Sequence, residues 1–179
     1  MNTLLLTFLL SFKSGLLPPP GTVRLNDSLF IDEQIITVLD WKEYVYYQTQ
    51  DNQKAILPDT AIRYKGRNYY NSGDFDEYPV LGIDEKAINA YCVWRSQLVT
   101  NTIRTYTKDN PCQSPFYVQN MGKKIKVTYR KAQDNEIVAA TKKGILQSNP
   151  FCKKNLAWLN AQNLKCTFRC VAVMKKLNP

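Results

Sequence analysis

The segment that follows Asp84 constrains this chain more than any other. Ala87, Tyr91, Trp94 and Leu98 recur at helical spacing from Glu85 to about Asn101, and Asp84 stands where an N-cap is needed. Such an apolar stripe requires a surface to pack against. Short strands are available: Thr22 to Leu25 and Leu29 to Ile31 read as a hairpin around the turn formers Asn26-Asp27-Ser28. Lys124 to Tyr129 alternates as a strand, and Cys166 to Met174 reads as a closing strand. A second helix is predicted from Asp40, with Asp40 and Glu43 as its capping box; Trp41, Tyr44, Val45 and Gln48 follow, and it ends near Thr49 to Asn52. From Ile56 to Pro79 the chain reads as mostly loop, with a short strand around Ala61 to Tyr64. Asp134 to Lys142 reads as a short helix that Gly144 terminates in the left-handed conformation.

Histidine is absent, which removes the commonest general base and transition-metal ligand together. Mechanisms built on Ser-His-Asp, Cys-His or His-bound iron or zinc are therefore excluded. The five cysteines are Cys92, Cys112, Cys152, Cys166 and Cys170, an odd number with no CxxC, so disulfide pairing inside one chain leaves at least one over. Cys92, within the apolar helix, reads as a plain buried thiol.

The 179 residues, 44% hydrophobic and 12% aromatic, are enough for one domain with a core of its own. A net charge of +9 attracts anionic surfaces without choosing among them. The lysines are dispersed apart from Lys123, Lys124 and Lys126, and the pairs Lys142-Lys143, Lys153-Lys154 and Lys175-Lys176. They read as solvated faces or a polyanion site, and no recognisable nucleic-acid module accompanies them.

The apolar run Met1 to Phe12 is too short for a membrane-spanning helix and fits the core of an export signal, although no basic residue precedes it. We therefore read 1–17 as an export segment and 18–179 as one domain. Pro18-Pro19-Pro20-Gly21 is a stiff entry to that domain. Localisation in the periplasm or outer cell envelope follows as an expectation, with peripheral rather than spanning membrane contact.

Several landmarks then fall in a known order. Pro20-Gly21-Thr22-Val23 with Leu29-Phe30-Ile31-Asp32, Tyr78-Pro79-Val80 running into Ala90-Tyr91-Cys92-Val93-Trp94, the stretch Arg130 to Gly144, and Phe168-Arg169-Cys170-Val171 together resemble the formylglycine-generating sulfatase-modifying-factor family. The first half, from Pro18 to Asp32 and through Trp41-Lys42-Glu43-Tyr44-Val45, is more similar to the domain of gliding-motility and type IX secretion lipoproteins. The resemblance implies an α+β fold related to C-type lectins, with two main helices against small antiparallel sheets.

The departures bear on chemistry. Between Gly144 and Cys166 a short stretch replaces a much longer one in that family, which carries metal ligands and active-site wall. The family's oxidase chemistry implies a C-x4-C pair of thiolates that bind copper, because soft sulfur favours Cu(I). Here Cys166 and Cys170 have three residues between them, and Cys152 has Ala157 where a partner would stand. On one extended strand Cys166 and Cys170 would lie about 13 Å apart, too far to bridge or share copper. A bridge from Cys152 to Cys166 or Cys170 stays open.

Cys152, Cys166 and Cys170 are thus the candidate catalytic or copper residues, weighed against structural thiols or a disulfide. Asp74, Asp76 and Glu77 are candidate Ca²⁺ ligands, weighed against a solvated loop. Tyr46, Tyr47, Tyr69 and Tyr70 suit a glycan or peptide groove or simple packing. Tyr69, Tyr70, Arg130 and Arg169 are the candidate binding residues. The expected function is a non-catalytic envelope protein that binds a protein or glycan without a cofactor; the alternative is a residual formylglycine-generating oxidase.

Overall fold

The computed structural model describes residues 16–105, 114–166 and 168–177. Most of the predicted export segment and Cys112 lie outside the described residues. The class is α+β, with seven α-helices among the described residues and two small antiparallel sheets.

The main sheet has the order β1 (Thr22–Arg24), β2 (Leu29–Asp32), β6 (Cys170–Lys176), β5 (Ile125–Lys131). The hairpin β1–β2 forms as predicted, with Val23 opposite Ile31 and the Asn26 side chain accepting from the amides of Ser28 and Leu29. The last strand is inserted between β2 and β5, so the C-terminal segment closes the sheet. This strand begins at Cys170, and Cys166 precedes it, which corrects the shared strand expected for those two cysteines.

Helix α1 spans Val38–Tyr46, corrected from a start at Asp40. Its N-cap is Thr37, whose hydroxyl accepts from the Asp40 amide while the Asp40 carboxylate accepts from the Thr37 amide at 2.8 Å. Asp40 thus closes the box from its third position rather than opening one. The predicted tail of this helix is a separate α2, Gln50–Ile56, which buries Ile56 alone. The stretch after it contains the ribbon β3 (Arg63–Tyr64) and β4 (Arg67–Asn68) and a single 3₁₀ turn at Gly73–Phe75.

The long helix α3 runs Glu85–Thr105, and the Asp84 carboxylate accepts from the Ala87 amide at 2.7 Å. It buries Ala87, Ile88, Tyr91, Cys92, Val99, Thr100 and Ile103, so the buried face is rotated from the expected stripe and Leu98 is 45% exposed. The reason is polar. Ser96 Oγ accepts from the Tyr129 amide at 2.7 Å, and Thr100 Oγ1 accepts from the Val127 amide and donates to the Val127 carbonyl, both at 3.1 Å. Four helical residues rise about 6 Å and two strand residues about 6.6 Å, so Ser96 and Thr100 match successive outward groups of β5. The helix therefore covers the β5 edge of the sheet.

Beyond β5, helix α5 (Asp134–Lys142) has the predicted bounds, and Gly144 ends it with φ of 68°. It covers a small second core on the opposite face of the sheet, built from Leu25, Ile31, Ala132, Ala140, Leu146 and Val171. Short helices α4 (Pro115–Asn120), α6 (Pro150–Lys154) and α7 (Leu156–Ala161) complete the chain, the last two lying in the segment that carried no sequence reading. The main core centres on Trp41, fully buried, stacked on Tyr91 at 5.4 Å and donating from Nε1 to the Ile56 carbonyl at 2.9 Å. No helix among the described residues is long and apolar enough to cross a membrane.

Candidate functional site

Where β2 ends against α1 and α3, a cavity of about 320 Å³ opens to solvent. Asp32, Tyr91, Trp94 and Arg95 line it, with Glu33 and Glu43 at its margin. Its deepest polar group is Asp32, at 2% exposure the last residue of β2. Asp32 Oδ2 accepts from Arg95 Nη1 at 2.9 Å and from the Cys170 amide at 2.7 Å. Oδ1 lies 2.8 Å from Arg95 Nη1 without accepting an aligned hydrogen bond. Burial pushes the Asp32 carboxyl above its ordinary value against the pull of Arg95, whereas Asp32 holds the Arg95 guanidinium charged despite its own burial. The guanidinium also lies over the Tyr129 ring at 4.3 Å. This network fixes helix, hairpin and closing strand relative to one another.

An aromatic strip leads from solvent into the cavity. Tyr46 is 78% exposed and Tyr47 62% exposed, their rings 5.4 Å apart. Tyr47 stacks near Trp94 at 6.1 Å, and Trp94 meets Tyr91 at 5.6 Å. Tyr47 thus reaches the cavity through Trp94, and Tyr46 packs on Tyr47 outside it. Glu33 and Glu43 are exposed and form no ion pair among the described residues, so the margin is anionic on a chain of net charge +9.

Just beneath, Cys92 Sγ and Cys170 Sγ lie 3.5 Å apart, both buried. Contact with Cys92, burial and the Asp32 charge all push the Cys170 thiol well above its ordinary value, which keeps it protonated at neutral pH. The sequence places both residues on core-facing segments, but only the insertion of β6 beside α3 brings them together. Cys152 and Cys166 form a disulfide with Cα atoms 5.8 Å apart, one of the two bridges left open by the sequence.

The remaining candidates are engaged elsewhere. Tyr69 is buried and donates to the Pro79 carbonyl at 2.8 Å; Tyr70 is buried with Lys42 Nζ over its ring. Arg130 forms a two-pronged pair with Glu136 at 2.7 and 2.6 Å, whose hydrogen bonds pull the Glu136 carboxyl below its ordinary value. Arg169, buried, donates to the carbonyls of Asp32 at 3.0 Å and Glu33 at 2.5 Å, so it clamps the end of β2. Asp74 accepts from Arg67 and Ser72, Asp76 pairs with Lys42 at 2.5 Å, and Glu77 is exposed. Asp74 and Asp76 are thus held by different cations, and Glu77 forms no ion pair among the described residues. Among the described residues no three Cys, Asp or Glu side chains come together around a common point suited to a metal ion.

No protein-family model, curated protein or solved structure matches this chain.

Proposed function

We propose that this chain is a non-catalytic, exported protein of the cell envelope that uses a scaffold of the sulfatase-modifying-factor kind to hold a partner protein, in the setting of gliding or secretion machinery. The scaffold reading rests on the order of the motifs along the chain. The observation that carries the binding reading is the strip Tyr46, Tyr47, Trp94 and Tyr91 running from solvent to the cavity floor. Exposed tyrosines give a large contact area at low conformational cost, and aromatic anchors dominate protein interfaces. The free carboxylates of Glu33 and Glu43 disfavour an acidic glycan and favour a protein segment with basic and apolar side chains.

The test is capture from envelope extract by the wild-type chain and by Tyr47→Ser and Glu43→Lys variants. One specific protein retained by the wild type and lost by both variants supports the reading. Capture of nothing across a range of salt concentrations, or identical capture by all three chains, contradicts it.

A second reading, a residual formylglycine-generating oxidase, is favoured by the 3.5 Å approach of Cys92 and Cys170. It requires both sulfurs as thiolates on Cu(I), against their burial and the raised Cys170 value. Stoichiometric Cu(I) binding with conversion of a Cys-containing sulfatase peptide would establish it, and the lack of both discards it.

A further inference from the structure

Two lysine groups far apart in sequence meet at one corner of the main sheet. Lys126 of β5 and Lys175 of β6 are directly opposed partners, Ile125 is opposed to Lys176, and the Leu177 amide donates to the Lys124 carbonyl at 2.7 Å. Lys123, Lys124, Lys126, Lys175 and Lys176 are all exposed, and none forms an ion pair among the described residues. Directly opposed residues of an antiparallel pair share a face, and like charges there destabilise the sheet. The fold bears that repulsion on a face whose other end, at Ile31 and Val171, is covered by α5.

We infer that this corner is an adsorption site for an anionic lipid surface, with the phosphate-bearing headgroups as its ligand. The uncovered side chains of β5 and β6 on this face are Lys126 and Thr128 with Val173 and Lys175, an array without an aromatic ring, while Lys176, opposite Ile125, points to the other face. Single-stranded nucleic acid and sugar rings are held by stacking platforms in grooves, and neither is present here. Lysines are point charges without the forked geometry that selects one phosphate or carboxylate. Such an array suits a diffuse charged plane, where each lysine strengthens partition about fivefold. Leu177, 40% exposed at the same corner, offers an apolar side chain to that plane.

The experiment is co-sedimentation of the full chain with vesicles of phosphatidylcholine alone or mixed with phosphatidylglycerol. The wild type should sediment with the anionic vesicles only and be released by salt. Lys126→Gln with Lys175→Gln should lower partition about fivefold per lysine, while thermal stability holds or rises because the opposed charges are gone. Lys153→Gln with Lys154→Gln, equal in net charge but remote, should leave partition near that of wild type. Equal loss in both double variants, binding to neutral vesicles, no binding to anionic ones, or preference for a soluble sulfated glycan or an oligonucleotide over vesicles would each overturn the inference.

Discussion

Asp32 links three elements through one buried carboxylate. Its carboxylate, at 2.9 and 2.7 Å from its donors, ties Arg95 of α3 and the first amide of β6 to the end of the hairpin. Asp32→Ala leaves Arg95 buried without its partner and should cost about 3–5 kcal/mol, measured by urea unfolding. Combined with Arg95→Ala, the loss should fall well short of the sum of the single losses. A pH-dependent contribution comes from Glu136. Its value is lowered in the folded chain, so its stabilisation is present above its ordinary 4.5 and disappears as pH falls through the depressed value. Arg130 is 41% exposed on its side chain, so the pair contributes no more than about 1 kcal/mol. Glu136→Gln should flatten the stability profile over that acid interval and leave it parallel to wild type at neutral pH. Residue type offered Tyr46, Tyr47, Tyr69 and Tyr70 alike as groove or packing residues, and the structure buries Tyr69 and Tyr70 and leaves Tyr46 and Tyr47 exposed. It could not separate the exposed pair from the buried one, because adjacent tyrosine pairs look alike until packing buries one of them.

At the scale of elements, local signals were readable at several caps and turns, although at α1 the box was assigned to open at Asp40 when Thr37 opens it. Helix α5 begins at Asp134 and ends before Gly144, and β1 pairs with β2 around Asn26, because short-range hydrogen bonds determine both. Helix α2 was not legible: it buries one side chain, so it has no apolar period to detect, and its position depends on the Trp41 bond to the Ile56 carbonyl. The rotation of α3 escaped a reading by hydrophobicity because Ser96 and Thr100, polar residues, face the edge of β5. Thr100→Val keeps the shape and removes the partner of the Val127 amide and carbonyl. It should cost about 1–3 kcal/mol and speed amide hydrogen exchange along β5. The disulfide Cys152–Cys166 closes the loop holding α6 and α7, with a sequence separation of 14. Its removal by Cys152→Ser with Cys166→Ser should cost about 3 kcal/mol, seen as a lower urea midpoint with the β5–β6 pairing retained.

For the whole molecule, the decisive event is the return of β6 into the middle of the sheet. This single long-range pairing assembles the Asp32 network, the Cys92–Cys170 contact and the lysine corner, three features whose members are far apart in the chain. None has a local signature, which is why composition showed the charge but not its concentration, and cysteine spacing showed the count but not the pairing. The site that results has an aromatic entrance, an anionic margin and sulfur kept below its floor. The most direct measurement is site-specific photo-crosslinking in intact envelopes, with the photoreactive side chain placed at Tyr47 or at Leu156, which is 59% exposed on α7. Position 47 should give one discrete adduct and position 156 none. No adduct at 47, or the same adducts from both positions, would contradict partner binding at the aromatic strip.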